Sequence, residues 1–133
     1  MAPELRVAIA NEADIVAARQ RGRELAASTG FSGTEQTLIA TAISEIARNI
    51  ITYARSGEIV LSPLQEGSRR GILVVAKDEG PGIENTELAM RDGYSTRRSL
   101  GMGLPGAKRL MDEFDLQSIV GKGTTVTMKK WIR

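Results

Sequence analysis

Residues 39–54 of the chain, IATAISEIARNIITYA, form the stretch that decides the fold. Isoleucine recurs there at spacings of four, three and four, which places the isoleucines on one face of an α-helix. These residues are Ile39, Ile43, Ile46 and Ile50. We therefore predict a helix that follows Ser32-Gly33-Thr34-Glu35, packs its isoleucine face on a core and ends near Tyr53-Ala54.

The opposite face of this helix is polar. Glu45 and Asn49 are four residues apart, so their side chains are neighbours one turn apart, and Arg48 falls on the same face. A carboxylate and an amide oxygen so placed can share one Mg²⁺ with its waters, or one can hold the metal while the other accepts a proton. Taken alone, the pair is better explained as the solvated side of an amphipathic helix.

The sequence on either side of this helix alternates between strand and helix patterns. The predicted strands are Leu5–Ile9 and residues 58–64, 72–77, 116–120 and 124–132, with a loop at 65–71. The other predicted helices are one capped by Asn11 or Asp14 that runs to about Thr29 before Gly30, a short one at 85–90, and one at 104–114 opened by Pro105. Hairpins with helices grouped between them predict an α+β fold, in a single domain of residues 1–133, with helices on one sheet face.

The composition excludes several classes of chemistry. The 133 residues contain no cysteine and no histidine, which excludes disulfides, thiolate catalysis, a Ser-His-Asp triad and phosphorylation of a histidine in the chain itself. Acid–base chemistry must therefore come from Glu, Asp, Lys or Tyr. Aromatic residues make up 4% and the net charge is +2. Because no apolar run approaches the length of a membrane span, we expect a cytoplasmic protein with no nucleic-acid and no membrane partner.

A second motif, Asp78-Glu79-Gly80-Pro81-Gly82, directly follows an apolar strand. An aspartate at a strand end can accept a hydrogen bond from an exocyclic amine such as that of adenine. Gly80 and Gly82 would let the backbone approach a flat ring closely, because neither carries a Cβ. As a lone motif, an ordinary Asp-x-Gly turn explains these residues somewhat better.

Two further glycine-rich motifs follow. Gly101-Met102-Gly103-Leu104-Pro105-Gly106 leads into a helix, whose unpaired N–H groups and dipole favour an anion, and residues 92–103 are predicted to form a mobile loop. A dinucleotide-binding fingerprint is excluded because no strand precedes this motif and no acidic residue follows at the required distance. The last motif, Gly121-Lys122-Gly123-Thr124-Thr125, is by itself best explained as a tight hairpin.

These four motifs, in this order across Glu45 to Thr125, resemble the conserved boxes of the GHKL superfamily of ATPases and kinases. The resemblance implies a Bergerat fold, a two-layer α/β sandwich with a mixed, mostly antiparallel sheet and helices on one face. Residues 42–45, 104–106 and 109–114 further resemble the small serine-kinase switch proteins of bacterial stress signalling.

The resemblance also implies ATP and Mg²⁺ as cofactors and assigns roles to individual residues. Asp78 would bind the adenine amine with help from Thr124. Asn49 would coordinate Mg²⁺. Glu45 would be the catalytic base and could also contact Mg²⁺ through a water molecule. Residues 82–101 would form the ATP lid, in which Arg97 and Arg98 are candidates for the terminal phosphate, a role that stays open. The remaining expected cofactor-binding residues are Arg48, Gly80, Gly82, Ile83, Gly101, Met102, Gly103, Leu104 and Gly106.

The function implied by the resemblance is that of a serine/threonine protein kinase. It would phosphorylate partner proteins with a STAS domain and, once released, activate a PP2C-type phosphatase. Because GHKL hydrolases carry a second domain that completes the site, the length of 133 residues favours a kinase over a hydrolase as the expected function. The alternative is an anti-sigma factor or a nucleotide-gated binding module with little catalysis.

Overall fold

The elements follow one another in the order predicted from the sequence. The computed structural model describes residues 4–83, residue 90 and residues 103–133. Its elements are β1 (Leu5–Ile9), α1 (Glu12–Thr29), α2 (Gly33–Ala54), β2 (Gly57–Glu66), β3 (Arg69–Asp78), α3 (Gly103–Leu110), β4 (Glu113–Ile119) and β5 (Gly123–Trp131). No helix within these ranges is long and apolar enough to cross a membrane.

The first two helices match the sequence predictions, except that α2 begins at Gly33, inside the stretch Ser32-Gly33-Thr34-Glu35 that was expected to precede it. The side chain of Asn11 caps α1 by accepting a hydrogen bond from the backbone N–H of Asp14 at 3.1 Å, and Gly30 ends the helix at a φ of 116°. The Ser32 side chain caps α2 by accepting from the N–H of Glu35 at 3.2 Å. Both predicted helices are therefore confirmed.

The sheet has the order β1-β2-β3-β5-β4, and each of its four strand pairings is antiparallel. The sheet was expected to be mixed, but the described strands contain no parallel pair. The isoleucine face of α2 packs on one side of this sheet, where Ile59, Leu61 and Val74 are fully buried beside Ile39 and Ile43. The predicted α+β sandwich with helices on one face is thus confirmed.

The register of the strands brings the ends of three of them together. Asp78, the last residue of β3, lies opposite Gly57 of β2 on one side and Thr124 of β5 on the other. Thr124 in turn lies opposite Ser118 of β4. Side chains of directly opposite residues share a face of the sheet, so Asp78, Thr124 and Ser118 lie in a row on the face that carries α2.

The prediction for the last helix was wrong at the C-terminal end. The helix was expected to span 104–114, but α3 ends at Leu110 and Phe114 belongs to β4. The cause is the pairing with β5, which places Phe114 opposite Met128 and draws this segment into the sheet. Asp112 fixes the change of direction, because its Oδ2 accepts a hydrogen bond from the backbone N–H of Trp131 at 2.7 Å.

The strands of the first hairpin are longer than predicted. The loop expected at 65–71 is reduced to Gly67-Ser68, because Gln65 and Glu66 pair with Arg70 and Arg69. Gly67 adopts a φ of 61°, which a glycine accepts without strain. The predicted helix at 85–90 and loop at 92–103 fall almost entirely outside the described residues, and Gly103 belongs to α3 instead of to the loop.

Candidate functional site

The carboxylate of Asp78 is fixed by the backbone around it. Its Oδ1 accepts hydrogen bonds from the N–H of Gly80 at 2.9 Å and from the N–H of Thr124 at 3.3 Å. Because both bonds use Oδ1, the lone pairs of Oδ2 remain as the acceptor that a ligand amine can meet. The strand-end aspartate predicted from the sequence therefore has a defined orientation before any ligand arrives.

The glycines around Asp78 make room for the protein itself. A Cβ at Gly80 would lie 2.5 Å from the Cβ of Ala54, at the end of α2. A Cβ at Gly82 would lie 2.5 Å from the backbone oxygen of Ile119, and Gly82 adopts a φ of 79°. The sequence suggested that these glycines admit a flat ring. The structure shows that they let the loop after β3 pack against α2 and β4.

Ser118 joins this group although sequence reasoning missed it. Its Oγ accepts a hydrogen bond from the backbone N–H of Ile83 at 2.6 Å and lies 2.8 Å from Oγ1 of Thr124. The same Oγ lies 3.2 Å from the backbone oxygen of Gly123 and donates to it. The available signal was the hairpin around Gly121, whose register places a serine directly opposite the candidate Thr124.

Glu45 is buried, which excludes the solvated helix face as its explanation. Glu45 is only 5% exposed, and its Oε1 accepts a hydrogen bond from the backbone N–H of Gly103 at 3.0 Å. Gly103 is the first residue of α3, so the carboxylate meets the positive end of that helix. The structure thus brings two predicted site residues, 58 positions apart in sequence, into direct contact. Asn49, one turn along α2, is half-buried.

The side chain of Arg48 extends from α2 to the first residue of α1. Its Nη1 lies 3.3 Å from Oε1 of Glu12, the first residue of α1. Its Nε is buried and has no hydrogen-bond partner among the residues that the structure describes. The observed partner of Arg48 is therefore α1, and its predicted contact with a nucleotide stays a prediction.

The other predicted binding residues divide into buried and undescribed ones. Leu104 is 2% exposed and belongs to the core, and Gly106 is buried in α3. Ile83 packs against the core and is partly buried. Gly101 and Met102, as well as Arg97 and Arg98, lie outside the described residues.

An open cavity of about 710 Å³ lies at the same end of the sheet, and its lining includes Asp78 and Ala54. Lys77 and Thr125 also line it, and both alternate with Asp78 and Thr124 onto the opposite face of the sheet. The cavity therefore shares Asp78 with the group formed by Asp78, Thr124 and Ser118, but it is not lined by Thr124 or Ser118.

The fold agrees with comparisons with known proteins. Residues 9–130 match the profile of the histidine kinase-like ATPase domain, and the chain belongs to that family. It is 50% identical over 127 residues to the serine/threonine-protein kinase RsbT of Bacillus subtilis strain 168, a match that covers 96% of each chain. It is 38% identical over 100 residues to an anti-sigma F factor of Thermoanaerobacter sp. strain X514, covering 71% of this chain and 68% of that one.

Among solved structures, the fold is similar to the crystal structure of RsbU and RsbW domains from Mycobacterium tuberculosis. The TM-score is 0.65 at 18% sequence identity, and the match covers 99% of this chain. The present chain spans 34% of the length of that one. At this identity the likeness supports the fold alone.

Proposed function

We propose that this chain is an ATP- and Mg²⁺-dependent serine/threonine protein kinase whose substrates are partner proteins with a STAS domain. One observation carries the proposal: the buried Glu45 carboxylate is held by the N–H of Gly103 at the start of α3, one helical turn from Asn49. The identity of 50% to a serine/threonine-protein kinase over 96% of both chains supports the same reaction.

The adenine end of the proposed site consists of Asp78, Thr124 and Ser118. Oδ2 of Asp78 would accept a hydrogen bond from the exocyclic amine of adenine, and the Thr124 hydroxyl lies beside it in the strand register. Because backbone N–H groups already hold Oδ1, binding would not require the carboxylate to reorient. A site that is ordered in advance loses less entropy when the ligand binds.

The phosphate end would consist of Glu45, Asn49 and Gly103 with the backbone of Leu104 and Gly106, and Gly101 and Met102, which lie outside the described residues, stay predictions. The backbone N–H groups in the first turn of α3 and the dipole of that helix favour phosphate oxygens. Within the described residues no group of three or more acidic side chains could hold a metal ion by itself. This fits Mg²⁺, which proteins hold through one or two side-chain oxygens while waters and substrate phosphates complete the shell. Asn49 would supply that oxygen.

The chemistry follows from these positions. The substrate hydroxyl oxygen would form a bond to the terminal phosphorus of ATP, the bond from that phosphorus to the bridging oxygen would break, and Glu45 would accept the hydroxyl proton. Bound Mg²⁺ would supply neutralisation of the charge on the phosphates. Such transfers depend on positioning more than on covalent catalysis, so a single carboxylate in a fixed place can suffice.

The proposed biological role is partner switching. By the resemblance of its sequence to stress-signalling kinases, the chain would bind a STAS-domain protein, phosphorylate it, dissociate, and then bind and activate a PP2C-type phosphatase. The experiment that tests the proposal is transfer of labelled terminal phosphate from Mg·ATP to purified STAS-domain proteins, with the acceptor identified by mass spectrometry. Label on a serine or threonine with wild-type chain supports the kinase. The proposal is overturned if nucleotide binds but no partner is labelled.

A second candidate function is supported by the similarity of 38% to an anti-sigma F factor. In that role the chain would be a nucleotide-gated binding module with little catalysis. Its diagnostic result is ATP-dependent capture of a partner that the wild-type chain does not phosphorylate. A kinase would instead phosphorylate its partner, and Glu45→Gln would lose that phosphorylation while it still bound the partner.

A further inference from the structure

We infer that Ser118 is a positioning residue that sets the purine specificity of the nucleotide site through the hydroxyl of Thr124. The inference rests on the proposed adenine end and adds a residue to it. Ser118 lies on β4, opposite Thr124 of β5, which lies opposite Asp78 of β3. The three side chains form one row across three strands.

We take all three contacts of the Ser118 hydroxyl to be hydrogen bonds, and counting hydrogen atoms then gives their direction. A serine hydroxyl has one proton to donate and two lone pairs that accept. One lone pair accepts the N–H of Ile83 at 2.6 Å, and the proton is donated to the backbone oxygen of Gly123 at 3.2 Å. The remaining lone pair then accepts the proton of Thr124 Oγ1 at 2.8 Å. This arrangement uses the full capacity of the Ser118 hydroxyl.

The consequence is that Thr124 presents lone pairs, and no proton, to a ligand. Asp78 likewise presents acceptors, since its Oδ1 already accepts two N–H groups and the lone pairs of Oδ2 remain for a ligand. Two acceptors side by side match the two N–H bonds of the adenine amine. They oppose the oxygen that replaces this amine in hypoxanthine, because an acceptor facing an acceptor leaves both without a partner.

Removing the Ser118 hydroxyl would release the proton of Thr124. With Ser118→Ala, Oγ1 of Thr124 can rotate and donate to a ligand oxygen, while the N–H of Ile83 loses its partner. We expect the affinity for ADP to fall by about tenfold and the affinity for inosine diphosphate to stay constant or rise, so that the preference for adenine falls by at least about tenfold. A change confined to protein stability would lower the affinities for both nucleotides by the same factor.

The test measures dissociation constants for ADP and inosine diphosphate by calorimetry with Mg²⁺, on the full chain. Ser118→Thr keeps the hydroxyl and should keep the preference, and Gln117→Ala, at an exposed neighbouring position of β4, is the matched control. Ser118→Cys, which keeps the size but bonds weakly, replaces Ser118→Ala if the latter does not fold. Thr124→Val removes the rotatable donor, so adding Ser118→Ala to it should leave the ratio of the two constants unchanged.

Two results would overturn the inference, and they are distinguishable. Ser118 does not act through Thr124 if Ser118→Ala lowers the affinities for ADP and inosine diphosphate by the same factor. The same conclusion holds if Ser118→Ala still changes the ratio of the two dissociation constants in the Thr124→Val background. If the wild-type chain binds ADP no better than inosine diphosphate, the adenine end itself is wrong, and the proposed function is contradicted with it. A loss of preference that Thr124→Val abolishes supports the inference.

Discussion

The two ends of the proposed site are built in different ways. The adenine end, formed by Asp78, Thr124 and Ser118, lies within the sheet, where strand register alone places the three side chains in a row. The phosphate end depends on a contact between helices, in which Glu45 of α2 meets the N–H of Gly103 of α3 at 3.0 Å. The adenine end is held by backbone hydrogen bonds that exist without a ligand. At the phosphate end, the Glu45 carboxylate accepts the same Gly103 N–H that a phosphate would use. Nucleotide binding must therefore share or replace this hydrogen bond.

This difference suggests a division of labour. The adenine end should control how tightly nucleotide binds, and the phosphate end should control how fast phosphate is transferred. Substitutions at the two ends are therefore expected to affect different measured quantities, and four of them test the division in order of expected effect.

Gly123→Ala should break the adenine end through stability. A Cβ at this position would collide with the backbone oxygen of Asp78, and Gly123 adopts a φ of 129°, which other residues rarely accept. We expect the free energy of unfolding, measured by chemical denaturation, to fall by about 3 kcal/mol. The control is Gly67→Ala, which shares a positive φ of 61° but has open space around it. It should cost about 1 kcal/mol, and equal losses in both variants would contradict the packing argument.

Glu45→Gln should separate the phosphate end from binding. Glutamine keeps the size of the side chain and can still accept the N–H of Gly103, but it does not take a proton at neutral pH. We expect phosphate transfer to fall by about a hundredfold or more, with ADP affinity changed by less than about threefold. The matched control is Glu24→Gln on the exposed side of α1, which should transfer at the wild-type rate. Transfer by Glu45→Gln at the wild-type rate would move the base elsewhere.

Asp78→Asn should affect the adenine end with the fold intact. The side-chain oxygen of asparagine can still accept hydrogen bonds from the N–H groups of Gly80 and Thr124. Its NH₂ group would then take the place of Oδ2, so that a donor would oppose the donor amine of adenine. We expect ADP affinity in calorimetry to fall by about thirtyfold. Asp115→Asn, at an exposed position of β4, serves as the comparison and should bind like wild type. Unchanged affinity with Asp78→Asn would remove the adenine role of Asp78.

Glu12→Gln should have the smallest effect, because it lies outside both ends. Its partner Arg48 is 26% exposed and Glu12 is 77% exposed, so water screens most of their attraction. We expect the midpoint of thermal unfolding to change by an amount equivalent to less than about 1 kcal/mol. A large loss of phosphate transfer in this variant would show that the position of Arg48 matters to the phosphate end.

The sequence predicted local features more completely than contacts between distant segments. The isoleucine periodicity of α2 and a cap of α1 at Asn11 or Asp14 were readable because each depends on residues a few positions apart, and the structure selects Asn11. Phe114 was assigned to a helix because its neighbours favour one locally, and pairing with Met128 overrode that preference.

The same distinction applies to the candidate site. Asp78 was identifiable at a strand end followed by glycines, but the contact of Glu45 with Gly103 spans 58 positions and follows from the packing of two helices. Ser118 was missed because a lone serine in a strand carries no pattern of its own. Its role depends on the register of β4 against β5, which places it beside Thr124 and within reach of the N–H of Ile83.

The most direct test of the account is the single-turnover rate of phosphate transfer to a STAS-domain partner, measured as a function of ATP concentration in wild type, Asp78→Asn and Glu45→Gln. The account predicts that Asp78→Asn needs more ATP but reaches the wild-type rate at saturation. It predicts that Glu45→Gln stays at least about a hundredfold slower at any ATP concentration. Recovery of the Glu45→Gln rate at high ATP, or a saturated Asp78→Asn rate as low as that of Glu45→Gln, would contradict it.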